Sequence, residues 1–178
     1  NYGGLTRSVW LVETPDTFIR DCFVRLEGGS VVADVRLEGE AKGGVRAGVR
    51  IPELGLTLRG RTDASGQLRL TAPAPRNLVL WTPEQPRLYD VEVFTSGDSI
   101  QDRIGFKTLE TRGRRLLLNG QDLFLRGIAL HEEAIGPVGT RRIDEPQARA
   151  LLQTAKDLGC NFVRLAHYHP GRVVWLVF

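Results

Sequence analysis

Apolar and polar side chains alternate with a period of two through most of the first 108 residues. The runs 9–12, 23–26, 31–37 and 68–70 carry the alternation, and 88–94 and 99–108 continue it. A period of two puts successive side chains on opposite faces of a pleated strand, so each run predicts a strand with one buried face. Gly28-Gly29-Ser30, Gly43-Gly44 and Asp63-Ala64-Ser65-Gly66 lie between runs and tolerate positive φ or bond their own backbone, which predicts hairpin turns. In Trp81-Thr82-Pro83-Glu84-Gln85-Pro86 the two prolines cannot donate to a ladder, so this stretch reads as an irregular corner. About seven short strands at such spacing, with little helical periodicity, predict an immunoglobulin-like antiparallel β-sandwich over 15–108.

The pattern changes after residue 108. Leu116-Leu117-Leu118, Asn119-Gly120 and Leu123-Phe124-Leu125 predict a hairpin, because Asn-Gly suits the type I′ turn whose twist matches its flanking strands. Farther on, Asp144 offers an N-cap, Pro146 sits near the first turn, and Ala150, Leu151, Ala155 and Leu158 recur at helical spacing until Gly159 stops the helix. The run 161–166 is short and mostly apolar, which predicts a strand buried on both faces. Strand 124–130, helix 145–158 and strand 161–166 therefore make one βαβ unit. One such unit cannot bury itself, so 109–178 is expected to open a larger parallel α/β domain.

Composition narrows the class. Of 178 residues, 42% are hydrophobic and 25% charged, which fits a folded globular chain and excludes disordered or collagen-like ones. Lys and Arg number 24 against 21 Asp and Glu, and the arginines are scattered singly along the strand-like runs, so no nucleic-acid partner is expected. No apolar run approaches the roughly 20 residues a bilayer requires, and no membrane partner is expected. Cys22 and Cys160 fall in different predicted domains and are expected to be unpaired. The chain begins at Asn1 and contains no Met, so the natural start is expected upstream.

If the βαβ unit opens a (β/α)₈ barrel, functional groups belong at the C-terminal ends of its strands. His131 follows the strand 124–130, and His167 and His169 follow the strand 161–166. Adjacent parallel strands bring these ends together.

At these residues the chain resembles glycoside hydrolase family 2, the β-galactosidase and β-glucuronidase family. Asn1-Tyr2-Gly3-Gly4-Leu5-Thr6-Arg7-Ser8-Val9 resembles the end of the family's N-terminal sugar-binding jelly roll. Leu80-Trp81-Thr82-Pro83-Glu84-Gln85-Pro86-Arg87-Leu88-Tyr89 is similar to a signature late in its immunoglobulin-like domain. Gly105-Phe106-Lys107-Thr108-Leu109-Glu110, Leu117-Leu118-Asn119-Gly120 and Phe124-Leu125-Arg126-Gly127-Ile128 resemble the approach to its catalytic barrel. Leu130-His131-Glu132-Glu133 and Asn161-Phe162-Val163-Arg164-Leu165-Ala166-His167-Tyr168 resemble its first two barrel strands.

The resemblance implies three domains: the end of a jelly roll over 1–14, an immunoglobulin-like sandwich over 15–108, and the start of a catalytic TIM barrel over 109–178. It implies a retaining β-glycosidase that hydrolyses terminal β-linked sugars, with no cofactor and no metal, and with a β-linked carbohydrate as partner. A homo-oligomer is compatible with it. Arg164 would hold the nucleophilic carboxylate ionised and oriented, since a guanidinium donates a fixed fork of hydrogen bonds and stays charged. His167 and His131 would donate to sugar hydroxyls in the −1 subsite, with Glu132 orienting His131.

Plainer readings stand beside these. Taken alone, an Arg after a buried strand is more often a structural ion-pair partner, and a His at a strand end is more often simply hydrogen-bonded. His131, Glu132, His167 and His169 are possible metal ligands, but their spacing fits neither His-Glu-x-x-His nor a Cys/His finger. Trp10, Trp81 and Tyr89 could stack on sugar rings, yet aromatics in alternating strands are expected in the core.

A retaining glycosidase needs an acid/base and a nucleophile, both carboxylates, about 5–5.5 Å apart. In the family the acid/base lies in an Asn-Glu pair, and no Asn is followed by Glu in this chain. An interior fragment without either catalytic carboxylate is therefore expected. His169-Pro170-Gly171-Arg172 also leads at once into Val173-Val174-Trp175-Leu176-Val177-Phe178, where the family pattern has a helix. The other class of function open to the chain is a non-catalytic sandwich that binds carbohydrate or braces a neighbouring domain. The βαβ stretch favours the enzyme, because such a sandwich has no use for it.

Overall fold

The computed structural model describes residues 9–133 and 143–166. The chain divides into two compact units, Val12–Leu123 and a second made of Asn1–Leu11 with Phe124–Phe178.

The first unit is built on seven strands: β1 (Thr17–Glu27), β2 (Ser30–Gly39), β3 (Arg46–Ile51), β4 (Leu56–Arg61), β5 (Gln67–Pro73), β6 (Tyr89–Thr95) and β7 (Ser99–Ile104). They form a three-stranded sheet in the order β1-β2-β5 and a four-stranded sheet in the order β4-β3-β6-β7, all antiparallel. One core joins both sheets. Val31, Ala33, Val35 and Leu37 of β2 share it with Val49 and Ile51 of β3 and with Tyr89, Val91 and Val93 of β6. Each Val, Leu or Ile among them contributes roughly 1.5–3 kcal/mol when fully buried, so this shared face holds the two sheets together.

Gly28-Gly29 forms the expected hairpin, with φ of 56° and 78°, and Glu27 pairs with Ser30 across it. Positive φ at both central residues is the type I′ requirement. The other two glycine-bearing turns are not hairpins. Gly43-Gly44 joins β2 to β3 and Asp63–Gly66 joins β4 to β5, and in each case the two strands belong to different sheets. Thr62 binds these two crossings to each other: its hydroxyl accepts from Val45 N at 3.0 Å and donates to Lys42 O at 2.6 Å. Local turn chemistry is the same for a hairpin and a crossover; the choice is made by which face must be buried.

Three further expectations are corrected. Residues 9–12 form no strand, and Trp10 is 79% exposed rather than in the core, because the run has no ladder partner among the described residues. The run 99–108 holds strand geometry only to Ile104; Phe106 then turns into the core, 1% exposed, while Gly105 lies under Trp81. Trp81 itself is half-buried with the Lys107 ammonium 4.7 Å from its ring centre, while Tyr89 is buried as expected.

The same unit ends in a small antiparallel sheet of β8 (Leu109–Arg112), β9 (Arg115–Leu118) and β10 (Gln121–Asp122). Asn119 (φ 51°) and Gly120 (φ 78°) make the expected turn between β9 and β10. Asn119 also donates to Trp81 O at 3.0 Å and accepts from Thr108 N at 2.9 Å, which ties the hairpin to the sandwich.

In the second unit β11 (Gly127–Leu130) and β12 (Phe162–Leu165) pair in parallel, with α1 (Glu145–Asp157) between them in sequence. Among the described residues no helix is long and apolar enough to cross a membrane. Cys22 and Cys160 are both free thiols.

Candidate functional site

The candidate site is the C-terminal edge of the β11–β12 pair, and short-range chemistry sets its geometry. Asp144 caps α1 by accepting from Gln147 N at 2.9 Å, and the Gln147 side chain accepts from Asp144 N at 3.0 Å. This reciprocal capping box satisfies two backbone donors that a helix start leaves free. At the other end Gly159, with φ 74°, takes the left-handed conformation that turns the chain toward β12.

Asn161 then aligns the two strands. Its Oδ1 accepts from Arg126 N at 2.8 Å and its Nδ2 donates to Phe124 O at 3.0 Å, while the Asn161 and Phe162 amides both donate to Arg126 O. The register follows: Gly127 opposite Phe162, Ile128 opposite Val163, Ala129 opposite Arg164 and Leu130 opposite Leu165. Gly127 is required here, since a Cβ would lie 2.6 Å from both the ring and the carbonyl oxygen of Phe162. Asn161 is the aligning residue that the sequence pattern hides, because it reads there only as the first position of a strand.

Alternation gives the pair two faces. Ile128, Leu130, Val163 and Leu165 are half-buried, and Leu165 packs with Leu151 against Ile143 and Ala148. Gly127, Ala129, Phe162 and Arg164 are exposed on the other face. The expectation of a strand buried on both faces is therefore wrong for β12: one helix covers one face, and Phe162 remains 43% exposed. The first strand is also shorter than expected, starting at Gly127, because residues 124–126 bond Asn161 instead of entering the ladder.

Of the expected site residues, the register brings Arg164 and His131 to the same end of the pair. Arg164 lies one position before the last ladder pair, and His131 directly follows it on the neighbouring strand. His131 is exposed and Glu132 beside it is 7% exposed. His167 and His169 lie outside the described residues, as does the run 173–178. Among the described residues no group of three His, Cys, Asp or Glu gathers as a metal site. Chemically the edge offers a permanent cation flanked by the small side chain of Ala129, with an imidazole nearby in the chain topology, an arrangement suited to gripping a carboxylate and hydroxyls.

Residues 17–107 match the sequence profile of glycosyl hydrolases family 2. Along 94% of its length the chain is 30% identical to a β-galactosidase of Arthrobacter sp. (strain B7), spanning 16% of that protein. It is 29% identical, over 94% of the chain and 28% of the relative, to a β-glucuronidase of Paenibacillus borealis. Among solved structures, a family 2 β-galacturonidase from Eisenbergiella tayi superposes with a TM-score of 0.70 at 24% identity, over 93% of this chain and 31% of that one. The Ruminococcus gnavus β-glucuronidase gives a TM-score of 0.69 at 19% identity, over 91% of this chain and 28% of the other, a likeness of fold. The chain thus spans less than a third of the relatives it matches. With the profile covering all seven sandwich strands and the sequence relatives continuing through β12, the chain belongs to glycosyl hydrolases family 2.

Proposed function

We propose that this chain contributes the immunoglobulin-like sandwich (15–108), preceded by the end of a jelly roll (1–14), and the opening of a (β/α)₈ barrel (109–178) to a retaining β-glycosidase of β-galactosidase or β-glucuronidase type. In this reading Arg164, His131 and His167 belong to the −1 subsite, and both catalytic carboxylates are supplied from outside these residues. The observation that carries it is the parallel, in-register β11–β12 pair with its helix on one face and Arg164 on the other. A barrel built from such units wears its helices outside and collects its chemistry at the C-terminal strand ends.

Arg164 then sits where its guanidinium can hold a nucleophilic carboxylate ionised and fixed in direction, and the His131 and His167 imidazoles donate to sugar hydroxyls. Such hydrogen bonds accelerate hydrolysis only insofar as they tighten toward the oxocarbenium-like transition state. Positioning groups without a nucleophile and an acid do not cleave a glycosidic bond. The purified 178-residue chain is therefore expected to release no nitrophenol from aryl β-galactosides or β-glucuronides. Turnover that copurifies with the chain and follows it through a second column would contradict the assignment of the carboxylates to other residues.

A further inference from the structure

The arginines that look scattered in sequence are gathered by the register of the four-stranded sheet. β3 and β4 pair so that Arg46 stands opposite Arg61 and Gly48 opposite Arg59, and Gly48 also stands opposite Phe94 of β6. Ala47 and Val49, which alternate with these positions, are buried, so Arg46, Arg59, Arg61 and Phe94 share the outer face of the sandwich. With Thr95 and Ser96 they line an open depression of about 520 Å³.

Three details distinguish this patch from an ordinary charged surface. First, Arg46 and Arg61 are like charges directly across a strand pair, an arrangement that costs stability unless something neutralises it. Second, among the described residues none of Arg46, Arg59 and Arg61 has an ion-pair partner, whereas Arg50 is bridged to Glu92 at 3.1 Å on the same face. On the outer face of the other sheet Arg25 and Arg69 are both bridged to Glu27 and Asp34. Third, the patch has a platform. The Phe94 ring lies so close over β3 that a Cβ on Gly48 would approach its Cζ to 2.6 Å, and the Arg59 guanidinium sits 5.9 Å from the ring centre. Arg61 is steadied separately by donating to Gly44 O at 2.6 Å.

We propose that this face of the sandwich is a carbohydrate-binding surface for a carboxylated polysaccharide, a chain bearing uronic acids. Each guanidinium presents a planar fork that matches a carboxylate, and several forks side by side match carboxylates repeated along a polymer. The depression is open rather than enclosed, which suits a chain lying across it, and the Ser96 hydroxyl at its rim suits a sugar hydroxyl, while the Thr95 hydroxyl is taken up in its own turn by the Gly97 and Asp98 amides. The choice of a sugar over an acidic peptide rests on membership of a glycosidase family.

The test is calorimetric titration of the full 178-residue chain with an oligogalacturonate, beside a neutral galactan oligomer and a glutamate oligomer of equal length. Saturable binding of the uronate is expected, weakening with added salt as screened ion pairs do. Arg59→Gln and Arg46→Gln should each weaken it by about tenfold. Arg103→Gln, which removes an exposed arginine paired with Asp90 on the neighbouring strand, should leave it unchanged. Melting temperatures at or above the parent's for Arg59→Gln and Arg46→Gln, the latter relieving the like-charge pair with Arg61, keep the comparison free of folding effects. No uronate binding, equal binding of the neutral oligomer or the glutamate oligomer, or equal loss with Arg103→Gln would each overturn the proposal. Binding is read without hydrolysis, so a failure to bind here and turnover in the aryl glycoside assay, the result that would contradict the proposed function, are separate outcomes.

Discussion

Single side chains close the sandwich where the backbone alone would not. Tyr89 is 2% exposed, and its hydroxyl accepts from Val79 N at 2.9 Å, tying the irregular stretch before β6 to the start of that strand. Tyr89→Phe keeps the ring and deletes this bond, and is expected to cost about 0.5–1.5 kcal/mol, read as a lowered urea midpoint at unchanged slope. An unaltered midpoint would mean that water replaces the hydroxyl without loss. On the outer face of β1, β2 and β5 the hydrogen bonds from Arg25 hold the Asp34 and Glu27 carboxyls below the usual carboxylate range, with Arg69 adding to the effect. Their folded-state pKa values are depressed, so their contribution to stability is complete above the unfolded-state values and is lost as pH falls through the folded ones. Arg25→Gln should therefore lower the melting temperature modestly at neutral pH, with the gap to the parent closing in acid. A gap that stayed constant in acid would point to lost packing over Phe23, 4.9 Å from the guanidinium, instead of charge.

Elements differ in how plainly the sequence announces them. The Asn119-Gly120 turn and the α1 boundaries are legible because each depends on one or two residues whose chemistry is local: positive φ at the turn, and the Asp144 and Gly159 caps at the helix. β3 and β4 are nearly silent, since Gly60 interrupts the apolar face of β4 and Gly48 breaks the arginine-bearing face of β3. The faces of β12 could not be read from its own residues at all, because what covers Leu165 is a helix and what leaves Phe162 open is the absence of a second one among the described residues. For the same reason the ends bearing Arg164 and His131 are legible as strand ends, while the alignment that puts them level depends on Asn161, Arg126 and Gly127, whose roles appear only in the paired state. Asn119 offers the clearest test at this scale. Asn119→Ala places an alanine at φ 51° and removes the bonds to Trp81 and Thr108, so a loss of about 2 kcal/mol is expected in thermal denaturation. A variant as stable as the parent would show that the hairpin is not fastened to the sandwich through this side chain.

At the scale of the whole molecule, the first unit carries its own core of two sheets, and residues 12–123 expressed alone are expected to fold cooperatively with a β-type circular dichroism spectrum. A chain cut to 15–108 loses the Asn119 fastening and should melt lower by about 4–8 °C for each kcal/mol removed. Among its described residues the β11–α1–β12 unit has only a small core, Ile143 and Ala148 with Leu151 and Leu165 packed against them, and Phe124, Leu158 and Phe162 are exposed. It is expected to need further chain to cover its open face, and the chain spans less than a third of the relatives it matches. The most direct measurement places residues 17–166 into the corresponding segment of the Paenibacillus borealis β-glucuronidase and compares the chimera with its Arg164→Gln form on an aryl glycoside. If Arg164 orients the nucleophile, the substitution should lower kcat by about a hundredfold while KM and the melting temperature change little. A folded, active chimera in which Arg164→Gln leaves kcat unchanged would contradict the placing of this strand end in a glycosidase −1 subsite.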